Sequence, residues 1–321
     1  MKAIAHTFEE IELPSPVAKG RDLLVKIEAI SVNPVDYKQR KASSATPRVL
    51  GWDAAGIVQA VGPEVTLFKP GDAVYYAGDV TRPGANSELH LVDERIVGRK
   101  PARLDFAQAA AIPLTAITAW EAFFDRMKIR PAGGDSGKRM LIIGGAGGVG
   151  SIGIQLAKMA GLRVIATASR PESVAWAKEL GADEVADHRK DLPSQVKTQV
   201  EYIANFNDLD THWTAMGELI APQGAMVAIV GNQKPLPMDA VRSMSATLCW
   251  ELMFTRPRFQ TPDMIEQHRL LNQVADWLDE GKLRGTMRQT LRPINAGNLR
   301  KAHEKLESGT MIGKLVLEGW A

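Results

Sequence analysis

The stretch Arg139–Glu172, RMLIIGGAGGVGSIGIQLAKMAGLRVIATASRPE, decides the fold. Its first apolar run predicts a buried strand, and the amphipathic run after the glycines predicts a helix that ends in glycine. A second apolar run closes the unit. The turn between them, Gly145-Ala146-Gly147-Gly148-Val149-Gly150, fits the pattern G-x-G-x-x-G. Between a strand and a helix, this pattern is typical of a dinucleotide-binding fold.

Three glycines of this turn have distinct expected roles. We expect Gly145 to permit the tight turn, Gly147 to let the backbone approach a pyrophosphate, and Gly150 to let the helix pack near the strand. The phosphates would then bind free N–H groups at the positive end of the helix dipole. A purely structural turn is the alternative for the motif taken alone. A phosphate loop of the nucleotide triphosphatase kind is disfavoured because no Gly-Lys-Ser/Thr follows.

The end of the second predicted strand bears on the choice of coenzyme. NAD-preferring sites usually carry an acidic residue there, whereas this chain has Ala168-Ser169-Arg170. A hydroxyl followed by a guanidinium suits a 2′-phosphate, which predicts NADPH rather than NADH. The alternative is that Arg170 is a solvated residue at the start of a helix. His188 ends the next predicted strand and is a candidate for the adenosine pocket, or a histidine with no ligand.

The rest of the chain shows two sequence patterns. Before Asp105, short alternating runs bounded by Gly and Pro predict a small β-barrel or sandwich. From Met140, strands alternate with helices, which predicts a parallel sheet covered on both faces. A chain of 321 residues is long for one core, so two domains are expected.

Composition argues against several classes of function. The net charge is +2 without a run of like charges, so we expect neither nucleic-acid nor membrane-surface binding. The single cysteine, Cys249, excludes an internal disulfide framework and any zinc site that needs two thiolates. A reducing, cytoplasmic location is expected. We identify no signal peptide at the start and no apolar run long enough to span a membrane.

Seven stretches carry a resemblance to a known family: SVNPVDYKQR, GWDAAGIVQAVG, FKPGDAVYYAG, AAAIPLTAITAWEAFF, GGAGGVGSIGIQLAK, CWELMFTRPRF and AHEKLESGTMIGKLVLEG. With them the chain resembles the medium-chain dehydrogenase/reductase superfamily over essentially its whole length. It is most similar to the zinc-free quinone oxidoreductases and to a subgroup labelled zinc-type alcohol dehydrogenase-like.

The resemblance implies an α/β protein of two domains. Residues 1–114 and 256–321 would form a GroES-like β-rich catalytic domain. Residues 115–255 would form a Rossmann domain, a doubly wound parallel sheet that binds NADPH. The active site of the family lies where these domains meet.

The resemblance also raises the question of a metal. Zinc-dependent relatives have a cysteine at the position of Asp36, a histidine at that of Trp52, and a four-cysteine loop that this chain lacks. We therefore expect no metal. Without a Lewis acid to stabilise an alkoxide, an enone or quinone is the easier substrate. Hydride then adds to an electron-poor carbon, and the charge spreads to the carbonyl oxygen.

Four residues of VNPVDYK are candidates for the chemistry. The resemblance places Asn33 and Asp36 at cleft-lining positions. Asn33 would donate to a carbonyl or hold the nicotinamide ribose, and Asp36 would fix a water or a neighbouring side chain. Tyr37 and Lys38 are candidate proton donors, and Lys38 aligns roughly with a proton-relay position of the zinc enzymes. The alternatives are a turn at Asn33, a helix cap at Asp36, and a proton from solvent.

The remaining candidate residues are expected to lie beside the coenzyme or the substrate. The resemblance implies that Thr115 lies near the nicotinamide and that Lys314 contacts the pyrophosphate, although Lys314 also suits a strand edge. Gly231 follows a predicted strand, where ligands bind in open sheets. An apolar substrate wall, or alternatively ordinary core, is expected from Trp52, Trp250 and Phe254.

The leading hypothesis is an NADPH-dependent, zinc-independent reductase of quinones or α,β-unsaturated carbonyls, with a small-molecule substrate. A metal-free carbonyl or alcohol oxidoreductase and a low-turnover NADPH-binding protein are the alternatives. The resemblance also implies a homodimer joined edge to edge through the Rossmann sheets, with SATLCWEL as the edge strand, and leaves a tetramer open.

Overall fold

The computed structural model describes residues 1–42, 46–131 and 133–321. The chain divides into two compact units. The first comprises Met1–Ile117 and Phe254–Ala321, and the second comprises Thr118–Met253. The first unit therefore contains both chain ends and the second contains the middle. The divisions fall at 117/118 and 253/254, where the sequence suggested 114/115 and 255/256.

The strands, in chain order, are β1 (Lys2–Ile4), β2 (Glu10–Glu12), β3 (Asp22–Ser31), β4 (Asp53–Val61), β5 (Ala73–Tyr76), β6 (Leu89–Asp93), β7 (Val97–Arg99), β8 (Arg139–Ile143), β9 (Arg163–Thr167), β10 (Glu184–Ala186), β11 (Val200–Asn205), β12 (Ile220–Ala228), β13 (Thr247–Trp250), β14 (Met287–Leu291) and β15 (Lys314–Glu318).

The α-helices are α1 (Pro34–Ala42), α2 (Phe106–Ala110), α3 (Pro113–Trp120), α4 (Gly148–Met159), α5 (Pro171–Glu179), α6 (Leu192–Gln195), α7 (Leu209–Leu219), α8 (Asp239–Ser243), α9 (Thr255–Phe259), α10 (Glu266–Asp279) and α11 (Ala296–Glu307). A 3-10 turn spans Glu94–Ile96 and a π-helical turn spans Glu121–Arg126. In the described part of the chain, no helix is both long and apolar enough to cross a membrane.

The first unit is built around a seven-stranded sheet in the order β14-β15-β3-β4-β5-β7, with β6 also paired to β3. β3 is its centre because it pairs with β4, β6 and β15, all antiparallel. Its sequence alternates, so Leu23, Val25 and Ile27 enter the core of this unit. This is the β-rich, GroES-like domain that the sequence predicted.

The second unit is a six-stranded parallel sheet in the order β10-β9-β8-β11-β12-β13. The apolar runs predicted as strands lie inside it, and Leu141, Ile203 and Met226 belong to its buried core. From β8 the chain proceeds to β9 and β10 on one side and then returns to β11 on the other. Such a reversal marks the edge of an open α/β sheet where ligands bind. The predicted Rossmann fold is confirmed.

Candidate active site

The glycine turn, Gly144–Gly150, joins β8 to α4 at the carboxyl edge of the parallel sheet. Gly144, rather than Gly145, has the left-handed backbone that the tight turn requires, with φ +85°. The positive φ of the turn thus lies one residue before the position at which the sequence suggested the tight turn. Gly145 is required by close packing instead, since a Cβ there would lie 2.8 Å from the Cβ of Ala166. At Gly150 a Cβ would lie 2.3 Å from the Gly144 carbonyl oxygen, so helix and turn approach closely.

The space beside Gly147 is open. A Cβ on Gly147 would meet, among the described residues, only the Gly144 carbonyl oxygen, at 3.4 Å. The first hydrogen bond of α4 runs from Ser151 N–H to the Gly147 carbonyl at 2.8 Å. The preceding N–H groups, those of Gly148, Val149 and Gly150, therefore lie in the first turn, where no helical partner exists for them. Anionic phosphate fits this cradle at the positive end of a 12-residue helix. Ala146 is a buried member of the turn.

The end of β9 is hydrogen-bonded to the glycine turn. Thr167 accepts two backbone N–H groups: Gly144 donates to its hydroxyl at 3.0 Å and Gly145 to its carbonyl at 3.1 Å. Ser169 follows, and its carbonyl oxygen accepts a hydrogen bond from the Arg189 guanidinium at 2.6 Å. The residues after β9 thus have a fixed position relative to the cradle.

Arg170 and His188 stand at the ends of β9 and β10. Arg170 precedes α5, with its side chain about one-third exposed and its Nε 3.4 Å from Glu172 Oε1. His188 is half-buried, and its Nδ1 has no hydrogen-bond partner in the described part of the chain. Burial lowers the pKa of His188, the Asp187 carboxylate raises it, and the charges of Arg189 and Arg170 lower it further. Both guanidinium groups therefore lie within electrostatic range of one imidazole.

Gly231 and Thr115 lie in different units. Gly231 is exposed beyond the carboxyl end of β12, and a Cβ there would meet no described atom within 4 Å. This open space agrees with a position beside a ligand. Thr115 is buried in α3 of the first unit, where its hydroxyl donates to the Ile112 carbonyl at 3.0 Å.

A buried polar group in the first unit, here called the Asp53 cluster, consists of Asn33, Asp36, Asp53 and Lys314. None of the four is more than 3% exposed. Asp53 Oδ2 accepts from Asn33 Nδ2 at 2.8 Å and from Lys314 Nζ at 2.9 Å. Asp53 Oδ1 accepts from the backbone N–H of Leu114 at 2.8 Å, which holds the start of α3. One carboxylate thus connects β4, β15, α3 and the residues before α1.

Lys314 differs from both expectations for it. β15 lies between β14 and β3, so Lys314 is not on a strand edge. Besides Asp53, its ammonium donates to the carbonyl of Val32 at 3.0 Å and to Oδ1 of Asn33. An ammonium has three N–H groups, and these acceptors occupy all of them. In this arrangement Lys314 has no donor for a pyrophosphate.

The hydrogen-bonding groups of the Asn33 side chain are likewise used within the protein. Its amide nitrogen donates to Asp53 and, at 3.4 Å, to the Ser31 carbonyl, while its oxygen accepts from Lys314. An asparagine amide has two N–H groups, so the predicted donation to a substrate carbonyl is not available here. Asn33 positions its neighbours instead.

The two carboxylate oxygens of Asp36 have different surroundings. Its Oδ2 accepts the backbone N–H of Asn33 at 2.7 Å, as in one half of a capping box at the start of α1. Its Oδ1 is buried and has no hydrogen-bond partner among the described residues. Burial raises the pKa of Asp36 from 3.8 to about 7, outweighing the Asn33 N–H and the Lys314 charge, which lower it. Near neutral pH this carboxyl exchanges a proton.

The other two predicted proton donors do not join this cluster. Lys38 is exposed on α1 and Tyr37 is half-buried. The Lys41 ammonium lies 5.3 Å from the centre of the Tyr37 ring. Successive helical residues point about 100° apart, so Asp36 and Lys38 face in nearly opposite directions. Proton donation by Tyr37 or Lys38 stays a prediction, and neither side chain shares the buried surroundings of Asp36.

The three aromatic candidates divide between the units. Trp52 is fully buried, its Nε1 donates to the Asp79 carbonyl at 3.1 Å, and its ring centre lies 5.9 Å from that of buried Phe254. These two form an edge-to-face pair within the first unit. Trp250 ends β13 in the second unit and is 46% exposed. The structure therefore shows one aromatic pair and one separate, accessible indole.

Of the two positions at which zinc-dependent relatives carry ligands, only position 36 holds a side chain of a zinc-binding type. Positions 36 and 52, where the resemblance puts metal ligands, hold an aspartate that caps a helix and a tryptophan that donates a hydrogen bond. Zinc sites use Cys, His and carboxylate ligands. In residues 1–42, 46–131 and 133–321, no three such side chains are grouped so as to hold a metal.

Sequence reasoning missed two residues, Asp53 and Arg189. An acidic residue in the apolar stretch GWDAAGIV is the signal for Asp53, because a carboxylate in a buried strand requires a partner. Arg189 gave the weaker signal of a basic residue two positions after an acidic one, just beyond a strand.

Comparisons with known proteins agree with this architecture. A model of the alcohol dehydrogenase GroES-like domain matches residues 19–102, and one of zinc-binding dehydrogenases matches residues 180–317. A zinc-type alcohol dehydrogenase-like protein of Staphylococcus aureus is 45% identical over 97% of this chain and 94% of its own length. The 2-methylene-furan-3-one reductase of Solanum lycopersicum is 32% identical over 99% of this chain and 79% of its own.

Solved structures are similar over the full chain. A Rhizobium etli protein assigned as a zinc-dependent alcohol dehydrogenase has a TM-score of 0.95 at 50% identity, covering 100% of this chain and 98% of its own. A quinone oxidoreductase of Coxiella burnetii has a TM-score of 0.83 at 26% identity, covering 99% of each. A mycobacterial protein in complex with NADPH has a TM-score of 0.86 at 26% identity, covering 99% and 100%.

Fold, glycine turn and relatives define a nicotinamide-dependent oxidoreductase with a GroES-like domain. The chain belongs to the medium-chain dehydrogenase/reductase superfamily.

Proposed function

We propose that the protein is an NADPH-dependent, zinc-independent reductase of quinones or α,β-unsaturated carbonyls. The observation that carries this proposal is the open cradle at Gly147 combined with Ser169 and Arg170 at the end of β9. They replace the acidic residue that usually holds the ribose 2′-hydroxyl in NAD-preferring sites. A similar structure in complex with NADPH supports the same coenzyme.

The chain's own groups account for coenzyme binding. The N–H groups of Gly148 and Val149 would hold the pyrophosphate, and the guanidinium of Arg170 would hold the 2′-phosphate. The pair between Arg170 and Glu172 does not prevent this. It is exposed and 3.4 Å long, and such pairs contribute about 0–1 kcal/mol.

The reaction needs a hydride and a proton. A reduced nicotinamide held at the glycine turn would provide the hydride for the electron-poor carbon of the acceptor. Asp36 is the group suited to hold the proton that the carbonyl oxygen takes up, because its pKa is raised to about 7 and its Oδ1 is free of described partners. Asp53, Asn33 and Lys314 fix the backbone around Asp36. Relatives named as an enone reductase and a quinone oxidoreductase support this class of acceptor.

We also propose that the protein is a homodimer joined through β13. In the sheet of the described residues β13 is the terminal strand, paired with β12 on one side. A terminal strand presents unpaired backbone groups to a second copy. Trp250 and Leu252, 46% and 49% exposed, supply apolar surface beside it.

A turnover assay tests the proposal. The absorbance of reduced nicotinamide is followed in the presence of a chelator. Its consumption is measured with NADPH or NADH and a benzoquinone, an enone or a saturated aldehyde as the acceptor. Its formation is measured with an alcohol and the oxidised coenzyme. We expect turnover of the quinone or enone with NADPH. Turnover confined to the aldehyde or alcohol supports a carbonyl or alcohol oxidoreductase instead. Saturable NADPH binding without turnover supports a binding protein, and loss of activity in chelator contradicts zinc independence.

A further inference from the structure

We infer that Arg189 is a second coenzyme-specificity residue, which forms with Arg170 a two-guanidinium clamp on the 2′-phosphate of NADPH. This inference rests on the proposed coenzyme. It assigns a role to a residue that lies about twenty positions after Arg170 in the chain, just beyond the end of the neighbouring strand β10.

The sheet brings the two arginines together. β10 pairs with β9 in parallel register, Ala186 opposite Thr167, and the Ala168 N–H donates to the Ala186 carbonyl at 2.9 Å. The segments after these strands therefore leave the same edge of the sheet side by side. Arg189 Nη2 bonds the Ser169 carbonyl at 2.6 Å, one residue before Arg170.

Arg189 is held in place although its side chain is 62% exposed. Asp187 accepts its Nε at 3.2 Å, its Nη2 at 3.2 Å and its backbone N–H at 3.0 Å. These contacts use Nε and Nη2, whereas Nη1 has no partner among the described residues. A positioned guanidinium loses little side-chain entropy when it binds, and Nη1 remains to donate to an anion.

Charge complementarity explains the preference for a phosphate. A phosphate monoester carries about 1.5 to 2 negative charges at neutral pH, and two guanidinium groups match this better than one. Burial and the charges of Arg189 and Arg170 lower the pKa of His188, which disfavours its charged form, and its Nδ1 has no hydrogen-bond partner among the described residues. Asp187 is neutralised by Arg189. A ribose hydroxyl in place of the phosphate would give the two guanidinium groups no anionic acceptor beyond Asp187 and Glu172, with which they already pair, and this favours NADPH over NADH.

Binding measurements on one matched pair of variants test the clamp. Arg189→Ala removes the second guanidinium. Arg163→Ala is the control, because Arg163 begins β9, at the end of the strand away from Arg170, is 60% exposed and pairs with one carboxylate, that of Glu184. Dissociation constants are measured by calorimetry for NADPH, NADH and adenosine 2′,5′-bisphosphate.

We expect Arg189→Ala to weaken NADPH and the bisphosphate about 10- to 100-fold, the range of a charge-assisted hydrogen bond. NADH should change less than about twofold, Arg189→Lys should restore part of the loss, and Arg163→Ala should leave all three constants unchanged. Equal weakening of NADPH and NADH would show a structural role and overturn the clamp, as would an unchanged preference.

The same data separate this inference from the proposed function. A wild-type protein that binds NADPH no better than NADH contradicts the proposed coenzyme, and the clamp with it. A wild-type protein that prefers NADPH, with Arg189→Ala keeping that preference, contradicts the clamp alone.

Discussion

The glycine turn of the second unit and the Asp53 cluster of the first are both polar, but they are built in opposite ways. The turn is made of backbone within seven consecutive positions, Gly144–Gly150, and leaves N–H groups and space for a ligand. The cluster is made of side chains far apart in sequence, buries them completely and satisfies nearly all of them with one another. The glycine turn is suited to bind an anion, and the Asp53 cluster is suited to fix the backbone around one titrating carboxyl group, that of Asp36.

The largest effect expected from this contrast is on stability. Asp53→Ala leaves the Lys314 ammonium buried without its counter-ion, and breaking one side of a buried pair costs about 3–5 kcal/mol. Chemical denaturation measures the free energy of unfolding. Glu184→Ala is the control, because its pair with Arg163 is exposed and contributes about 0–1 kcal/mol. Equal losses in the two variants would show that the cluster is not a stabilising unit.

A second variant tests the titrating carboxyl. Folding raises the pKa of Asp36 from 3.8 to about 7, so the folded state binds the proton more tightly than the unfolded state. The stability that this proton contributes is complete below pH 4 and is lost as pH rises through 7. Asp36→Asn keeps an oxygen for the Asn33 N–H and does not titrate.

We therefore expect Asp36→Asn to gain stability relative to the wild type between pH 4 and 8, by up to about 4 kcal/mol for a shift of about three pH units. Denaturation across this range measures it. The pH dependence of turnover provides a second readout, since the wild type should lose activity above pH 7 and the variant should have low, flat activity. Parallel stability curves for both proteins would show that Asp36 stays ionised.

A third comparison separates binding from packing within the glycine turn. Gly150→Ala places a Cβ 2.3 Å from the Gly144 carbonyl oxygen, and we expect a loss of about 2–3 kcal/mol of stability. Gly147→Ala meets that oxygen only at 3.4 Å, so stability should change by less than about 1 kcal/mol. Its methyl group enters the space assigned to the pyrophosphate, however, and NADPH binding should fall sharply. Normal NADPH affinity in Gly147→Ala would place the coenzyme elsewhere.

The smallest expected effect on the folded subunit is that of Trp250→Glu. A charge on the terminal strand should convert the proposed dimer to a monomer in light scattering, with little change in secondary structure. An unchanged mass would show that β13 does not form the dimer interface. Lys38→Glu, an exposed change on α1, is the control for a new surface charge.

Local sequence features predicted the second unit well. A strand, a glycine turn and a helix follow each other directly, so the apolar and glycine patterns of Arg139–Glu172 were sufficient to identify a Rossmann fold. The pattern did not reveal that Gly144 holds the positive φ, because several glycines in succession can satisfy it. Arg189 was missed because its neighbour Ser169 becomes visible only when β9 and β10 are paired.

The Asp53 cluster was less accessible to such reasoning. Asp53 and Lys314 are 261 positions apart, and only the register of a sheet built from both chain ends brings them together. The family resemblance pointed to Asn33, Asp36 and Lys314 individually. Which of their hydrogen bonds are already used within the protein depends on three-dimensional packing, and this turned two expected ligand contacts into internal ones.

Transfer of a labelled hydride shows whether the protein reduces a conjugated double bond without a metal. Protein shown to be metal-free by elemental analysis is mixed with an enone and NADPH deuterated at the nicotinamide C4, and the product is analysed by mass spectrometry and NMR. We expect deuterium on the β-carbon of a saturated carbonyl product, with NADPH strongly preferred to NADH. Deuterium transfer that appears only after zinc is added, or only onto the carbonyl carbon, would contradict it.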